Sequence, residues 1–135
     1  MVALGQEGYG EAMSEHDNQV ALFNILALYE DKYPVLRWIF AIPNGGKRHP
    51  ATAVKLKAEG VKAGVWDIFV PIVVAPFGGM FIELKFGSNK LTPNQRAFRE
   101  ELGDDAYDWA ICYSAIEAAH AIGEYLDIPE LKECE

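Results

Sequence analysis

The chain of 135 residues is half apolar and has a formal net charge of −8, so we expect one domain with its own core and not a plain nucleic-acid binder. No apolar stretch approaches the about 20 residues that span a bilayer, and the first residues lack the pattern of a signal peptide. The two cysteines, Cys112 and Cys134, lie far apart without metal-type pairing, which favours a reducing, cytoplasmic setting.

The first half of the chain predicts a helix, a strand and a second helix. Residues 14–32 predict a helix because Ser14 suits the N-cap position and acidic residues follow it in the first turn. Residues 35–42 alternate in the manner of a strand. The loop 43–49 contains two glycines and has no capacity for regular structure. A second helix is expected from Pro50 to a stop at Gly60.

The second half predicts a hairpin, a helix, a strand and a final helix. Two β-rich runs, 68–74 and 80–86, flank a turn at 75–79. A helix is expected from Thr92 to about residue 102, a strand over 108–113 and a helix from Ser114 to about 126, before an acidic, frayed tail. The order α-β-α-β-β-α-β-α predicts an α/β fold in which helices flank a mixed sheet, within a single domain, residues 1–135.

The predicted hairpin contains the residues most suited to chemistry. Asp67 opens its first strand, and Glu83 and Lys85 lie two positions apart on one face of its second strand. Charges are rarely placed in so apolar a strand without a partner or a function. A hairpin brings Asp67 near Glu83, and two carboxylates beside an ammonium suit a hard divalent cation and a reacting phosphate.

Further ligands for such a cation are available nearby in the predicted fold. The backbone carbonyl of Leu84 is a candidate third ligand, and Glu15 completes the shell if the first helix packs beside the hairpin. Lys85 either orients the attacking water or stabilises the charge that develops on the phosphate.

Each of these assignments has a structural alternative. Glu83 and Lys85 are also explained as a cross-strand salt-bridge pair, Asp67 as a turn or strand-end residue and Glu15 as a partner of the helix dipole. Gln95 lies three residues after Thr92, so a role in a capping box is as well supported as a role in the site.

Positive charge is concentrated in the middle of the chain. Residues 37–99 have a net charge of +7, whereas residues 1–36 and 100–135 have net charges of −5 and −10. This pattern indicates a phosphate-binding surface on an acidic body, and a solvated, Lys-rich middle is the simpler alternative. The candidate nucleic-acid contacts are Asn44, Lys47, Arg48 and Lys62.

Several motifs together resemble a known family. Asp67 followed by Glu83-Leu84-Lys85 resembles the Asp…Glu-x-Lys signature of the PD-(D/E)XK nuclease superfamily. Residues 42–46 (Ile-Pro-Asn-Gly-Gly), 56–64 and 91–95 (Leu-Thr-Pro-Asn-Gln) occur around it in the order seen in the virus-type replication-repair nuclease (VRR-NUC) family. The resemblance covers roughly residues 14–126.

The resemblance implies a restriction-endonuclease-like core that cleaves DNA with Mg²⁺ or Mn²⁺. It implies that Glu15, Asp67 and Glu83 bind the metal, that Lys85 is catalytic and that Gln95 lies close to the site. Stand-alone members of this size resemble small phage nucleases, which are often dimeric and active on branched DNA such as four-way junctions. The expected setting is the cytoplasm of a phage-infected or bacterial cell, without a membrane partner.

Two questions remain open from the sequence. Trp66 stands where the family has a proline before the aspartate, and its indole either alters the approach of a DNA strand or fills core. The rival functions are a non-catalytic module that binds DNA structures and a ribonuclease.

Overall fold

A four-stranded sheet forms the centre of the protein, in the order β1-β2-β3-β4, in a computed structural model that describes residues 14–43 and 50–135. Strands β1 and β2 pair antiparallel, as do β2 and β3, whereas β3 and β4 pair parallel. The expected α/β fold with a mixed sheet is therefore confirmed. The strands are β1 (Phe40–Ala41), β2 (Ile68–Val70), β3 (Met80–Leu84) and β4 (Asp108–Cys112).

Helices flank the sheet, and α1, α3 and α4 begin at the residues that their caps predict. The side chains of Ser14, Thr92 and Ser114 each accept a hydrogen bond from a backbone N–H in the first turn of the helix that follows. Within the described residues, no helix is both long and apolar enough to cross a membrane. The helices are α1 (Glu15–Leu28), α2 (Pro50–Ala58), α3 (Pro93–Leu102), α4 (Ala115–Leu126) and α5 (Pro129–Lys132).

One face of the sheet builds the main core against α1 and α4. Ile68 of β2 and Ile82 of β3 are opposite each other in the register, and neither is exposed to solvent. They belong to one cluster with Leu22 and Leu26 of α1 and with Ile122 of α4. This burial removes a large apolar area from water and fixes α1 beside the hairpin.

The opposite face contains a row of aromatic rings and ends at the charged residues. Phe40, Phe69, Phe81 and Trp109 are register partners across the four strands, with neighbouring ring centroids 6.0, 4.5 and 4.9 Å apart. Phe98 of α3 covers this row, with its ring centroid 5.1 Å from that of Phe81. Alternation along β3 places Glu83 on the same face as Phe81, so the acid lies in the layer that α3 covers.

The prediction of a strand over residues 35–42 is wrong for most of its length. A 3₁₀ helix occupies Pro34–Trp38, and only Phe40–Ala41 forms a strand. The residues that reach the core are Leu36 and Ile39, three positions apart, which is the period of a 3₁₀ helix. Trp38 lies on the exposed side of this turn, with 61% of its surface accessible.

Three predicted boundaries also need correction. Helix α1 ends at Leu28, four residues before the expected end, and turns follow it. Strand β2 ends before Pro71, which has no N–H for a strand ladder. The tail is not frayed, because α5 forms over Pro129–Lys132 and buries Leu131 completely.

Candidate active site

Two hydrogen bonds across the β2–β3 hairpin link Asp67 to Glu83 and to its neighbour Leu84. The backbone N–H of Asp67 donates to Glu83 Oε1 at 3.1 Å, and the backbone N–H of Leu84 donates to Asp67 Oδ2 at 2.8 Å. The antiparallel register of β2 and β3, which pairs Ile68 with Ile82, produces this alignment. The structure therefore brings together the two acids that the hairpin prediction placed near each other.

Gln95 combines the two roles that its sequence position left open. Its backbone N–H donates to Thr92 Oγ1 at 3.2 Å, and its Oε1 accepts from the Thr92 N–H at 2.9 Å, which completes a capping box. The remaining side-chain nitrogen, Nε2, donates to Glu83 Oε2 at 2.8 Å. Because Oε1 has a donor and Nε2 has an acceptor, the amide has one consistent orientation.

Lys85 supplies a buried positive charge on the same face of β3. Its Nζ lies 3.5 Å from Glu83 Oε2, and the side chains of the two residues are only 8% and 2% exposed. A salt bridge is thus present, but it joins a residue of β3 to the residue just after that strand and does not cross between strands. Removing one partner of this pair would leave the other buried without its counterpart, which is costly.

Burial and the repulsion between like charges both raise the pKa values of the two carboxyl groups. The pKa of Glu83 is raised from 4.5 to about 8, first by burial and then by the charge of Asp67, against the opposing effect of Lys85. Burial also raises the pKa of Asp67, although the hydrogen bond from the Leu84 N–H lowers it. A cation bound between these groups would relieve the repulsion, which is the electrostatic condition of a metal site.

Glu15 lies close enough to contribute to this field. It is half-buried at the start of α1, and its charge raises the pKa of Asp67. Helix α1 therefore packs beside the hairpin, which was the condition for Glu15 to join the site. The side chain of Leu84 is buried in the main core, while its backbone runs past Asp67.

Trp66 is a core residue that contacts the backbone of Gln95. It has no exposed surface, so it presents nothing to an approaching DNA strand. Its Nε1–H donates to the backbone carbonyl of Gln95 at 3.0 Å, and its ring packs edge-on against Trp109 with centroids 4.9 Å apart. The sequence signalled this residue only by the missing proline and gave no sign of the contact with Gln95.

Cys112 is unsuited to nucleophilic chemistry. The thiol is buried, and burial together with the charge of Glu117 raises its pKa to about 12. It therefore stays protonated at neutral pH, and the reactive form of a cysteine is the thiolate.

Comparison with solved structures identifies the fold. A structure described as a "VRR_NUC domain protein" is similar to this chain with a TM-score of 0.68, over 87% of this chain and 91% of that one, at 23% sequence identity. The chain has the VRR-NUC fold. This is the fold that the resemblance of the sequence motifs implies. No protein-family model matches the sequence, and no curated protein matches it either.

The donor atoms of this site are of the type that Mg²⁺ and Mn²⁺ prefer. Asp67, Glu83 and the nearby Glu15 offer carboxylate oxygens, which are hard ligands. Within residues 14–43 and 50–135, no three His, Cys, Asp or Glu side chains are grouped closely enough to hold an ion by themselves. A cation would need further oxygens from a backbone carbonyl, water or phosphate, which is common for Mg²⁺.

The candidate nucleic-acid contacts fall in two groups. Asn44, Lys47 and Arg48 lie outside the described residues. Lys62 is exposed in the turn segment that leads from α2 towards Asp67. It is therefore available to a phosphate, and its role stays a prediction.

Proposed function

We propose that this chain is a Mg²⁺- or Mn²⁺-dependent DNA endonuclease that hydrolyses phosphodiester bonds in branched DNA. The observation that carries the proposal is the grouping of Asp67, Glu83 and Lys85 at one end of a VRR-NUC hairpin. A half-buried carboxyl and a fully buried one that repel each other beside an ammonium are unfavourable in an ordinary core. The arrangement is understandable if a cation and a phosphate complete it.

The residues of the site would have separate roles in phosphodiester hydrolysis. Asp67, Glu83 and the Leu84 carbonyl would hold the cation directly, and Glu15 would reach it through a bound water; the cation would supply Lewis acidity and lower the pKa of the attacking water. Lys85 places a positive charge where it orients the attacking water or stabilises the phosphate as negative charge develops. Gln95 holds the Glu83 carboxylate in one orientation through its Nε2.

The charge distribution supports a shaped DNA substrate. The positive segment 37–99 contains the site and Lys62, whereas both ends of the chain are acidic. The acidic ends weaken non-specific attraction to a long duplex. Binding therefore favours a DNA whose branched shape brings its phosphates against the positive segment. A two-fold dimer would place two such sites on two strands, which suits paired incision at a four-way junction.

A cleavage assay with matched substrates tests the proposal. End-labelled four-way junction, flap and linear duplex DNA, with RNA copies of the same strands, are incubated with Mg²⁺, Mn²⁺ or EDTA. The control protein is Lys85→Ala, with its fold checked by circular dichroism. We expect cation-dependent incision of the junction by the wild-type protein, little incision of the duplex, and none by the variant.

The other outcomes point to the rival functions. Cleavage of the RNA copies alone would identify a ribonuclease. Tight junction binding that persists in EDTA, without incision under any condition, would indicate a non-catalytic module that binds DNA structures. Either result would overturn the proposed DNA endonuclease.

A further inference from the structure

Trp66 connects the segment just before β2, which contains Asp67, to the first turn of α3. Its fully buried indole donates its N–H to the Gln95 carbonyl at 3.0 Å. A buried tryptophan needs such a partner, because an indole N–H without an acceptor loses its hydrogen bond to water. The bond therefore fixes the distance between the segment that leads into β2 and the start of α3.

A second, independent contact locks the same two segments together. Gly64 has a φ of +94°, a conformation that favours glycine, and a Cβ built on it would lie 2.7 Å from the Asn94 carbonyl oxygen. The backbone before Trp66 therefore packs directly on the first turn of α3, without room for any side chain. Small displacements of one segment must displace the other.

The side chain at the centre of this junction reaches the carboxylate pair. Gln95 contacts Trp66 through its carbonyl, Thr92 through its capping box and Glu83 through its Nε2. Glu83 in turn accepts the N–H of Asp67, the residue that follows Trp66. The contacts thus form a closed ring from Trp66 through Gln95 and Glu83 to Asp67, which is the next residue after Trp66 in the chain.

We propose that Trp66 is a positioning residue, which holds the first turn of α3 in place so that the Gln95 amide stays on Glu83. The part of this inference that concerns reaction rate rests on the proposed nuclease function. The part that concerns Gln95 does not. Loss of the indole N–H would loosen the first turn of α3, and Glu83 would lose a fixed donor before any substrate arrives.

The chain contains a matched control at the other end of the same helix. The Nε1–H of Trp109 donates to the carbonyl of Gly103, the C-cap residue of α3, at 2.9 Å. Trp66→Phe and Trp109→Phe each keep an aromatic ring and remove one indole donor to α3. Only the first donor acts on the turn that contains Gln95.

The first readout is the side-chain amide of Gln95, which needs neither cation nor substrate. Its resonances are observed by ¹⁵N NMR in metal-free protein and assigned by their loss in Gln95→Met. In the wild-type protein and in Trp109→Phe, we expect slow hydrogen exchange for this amide. In Trp66→Phe, we expect exchange close to that of the exposed amide of Asn89.

The second readout is the single-turnover rate on a four-way junction. Loss of a residue that orients a metal ligand costs about tenfold or more in activity, so we expect that loss in Trp66→Phe with unchanged DNA affinity. Trp109→Phe should retain the wild-type rate. If Trp66→Phe fails to fold, a tryptophan analogue with sulfur in place of the indole N–H, introduced at position 66 alone, removes the same donor with the ring shape kept.

The outcomes separate this inference from the proposed function. Wild-type exchange of the Gln95 amide in the position-66 variants would overturn the positioning role, whatever the enzyme does. Fast exchange in those variants, from a protein that cleaves no nucleic acid in any form, would support the positioning role and overturn the nuclease proposal. Equal effects in Trp66→Phe and Trp109→Phe on both readouts would also overturn the inference, because they would reflect general loosening of α3.

Discussion

Asp67 and Glu83 are held together by side-chain-to-backbone hydrogen bonds, although their charges repel each other. Glu83 Oε1 accepts the Asp67 N–H at 3.1 Å, while Asp67 Oδ2 accepts the N–H of the residue after Glu83 at 2.8 Å. The separation of the two carboxyls is therefore set by the rigid hairpin and not by a loop. A site built on strands keeps its geometry without substrate, which favours catalysis by preorganised charge.

Asp67→Asn should abolish activity without harming the fold. The asparagine Oδ1 can still accept the Leu84 N–H, and the change removes a carboxylate that repels Glu83. We expect an unchanged or higher melting temperature, with cleavage reduced by about a hundredfold or more, because a Lewis-acid site contributes several kcal/mol. A variant that unfolds, or one that cuts at the wild-type rate, would contradict this assignment.

Metal-free protein should lose stability as the pH rises from about 4.5 to about 8. Over this range native Glu83 retains a proton that the unfolded chain has released, because its pKa is raised from 4.5 to about 8 in the fold. The native state then binds more protons than the unfolded state, so the free energy of unfolding falls with increasing pH. Thermal melts in EDTA across this range should show the fall, and Asp67→Asn should reduce it. A flat profile in the wild-type protein would argue against a raised pKa.

The hairpin and the position of its acids could be predicted from the sequence because the strand and turn signals agree there. A β-rich run on each side of the Pro-Phe-Gly-Gly turn predicts antiparallel pairing, and pairing places Asp67 near Glu83. The caps at Ser14 and Thr92 were likewise predictable, since the capping side chains and their partners are three residues apart.

Elements that depend on partners distant in sequence could not be predicted. Leu36 and Ile39 form an apolar pair whose spacing fits a 3₁₀ turn, but the surrounding alternation suits a strand equally well. Helix α5 forms because Leu131 packs closely on Gly123, where a Cβ would lie 2.9 Å from the Leu131 Cβ. The bond from Trp66 to Gln95 joins residues 29 positions apart, and no local pattern indicates it.

Asn18→Ala should destabilise the fold without a direct effect on the site. Asn18 is buried in α1, and its Oδ1 accepts the N–H of Ala115 at the start of α4 at 3.2 Å. Alanine leaves that N–H buried without this acceptor, which costs about 1–3 kcal/mol. Chemical unfolding measures the loss, and Asn24→Ala, an exposed change in the same helix, should cost far less. Equal costs for the two variants would contradict the role of the bond between helices.

Lys62→Ala should weaken DNA binding and reduce its dependence on salt. Lys62 is exposed within the positive segment, so it is free to neutralise a phosphate. Loss of one phosphate contact lowers the slope of log affinity against log salt by about one unit. Junction binding in EDTA at several salt concentrations measures this slope, with Lys132→Ala in α5 as a control outside the segment. An unchanged slope would remove Lys62 from the phosphate contacts.

The most direct test of the central claim is junction cleavage by wild-type protein and by Glu83→Ala, with Mn²⁺ and then with excess EDTA. Glu83 is the acid that Asp67, Gln95 and Lys85 all contact, so its loss removes the centre of the site. We predict incision by the wild-type protein with Mn²⁺ only, and none by the folded variant. Cleavage that persists in EDTA, or in Glu83→Ala at the wild-type rate, would contradict a metal-dependent site at this carboxylate pair.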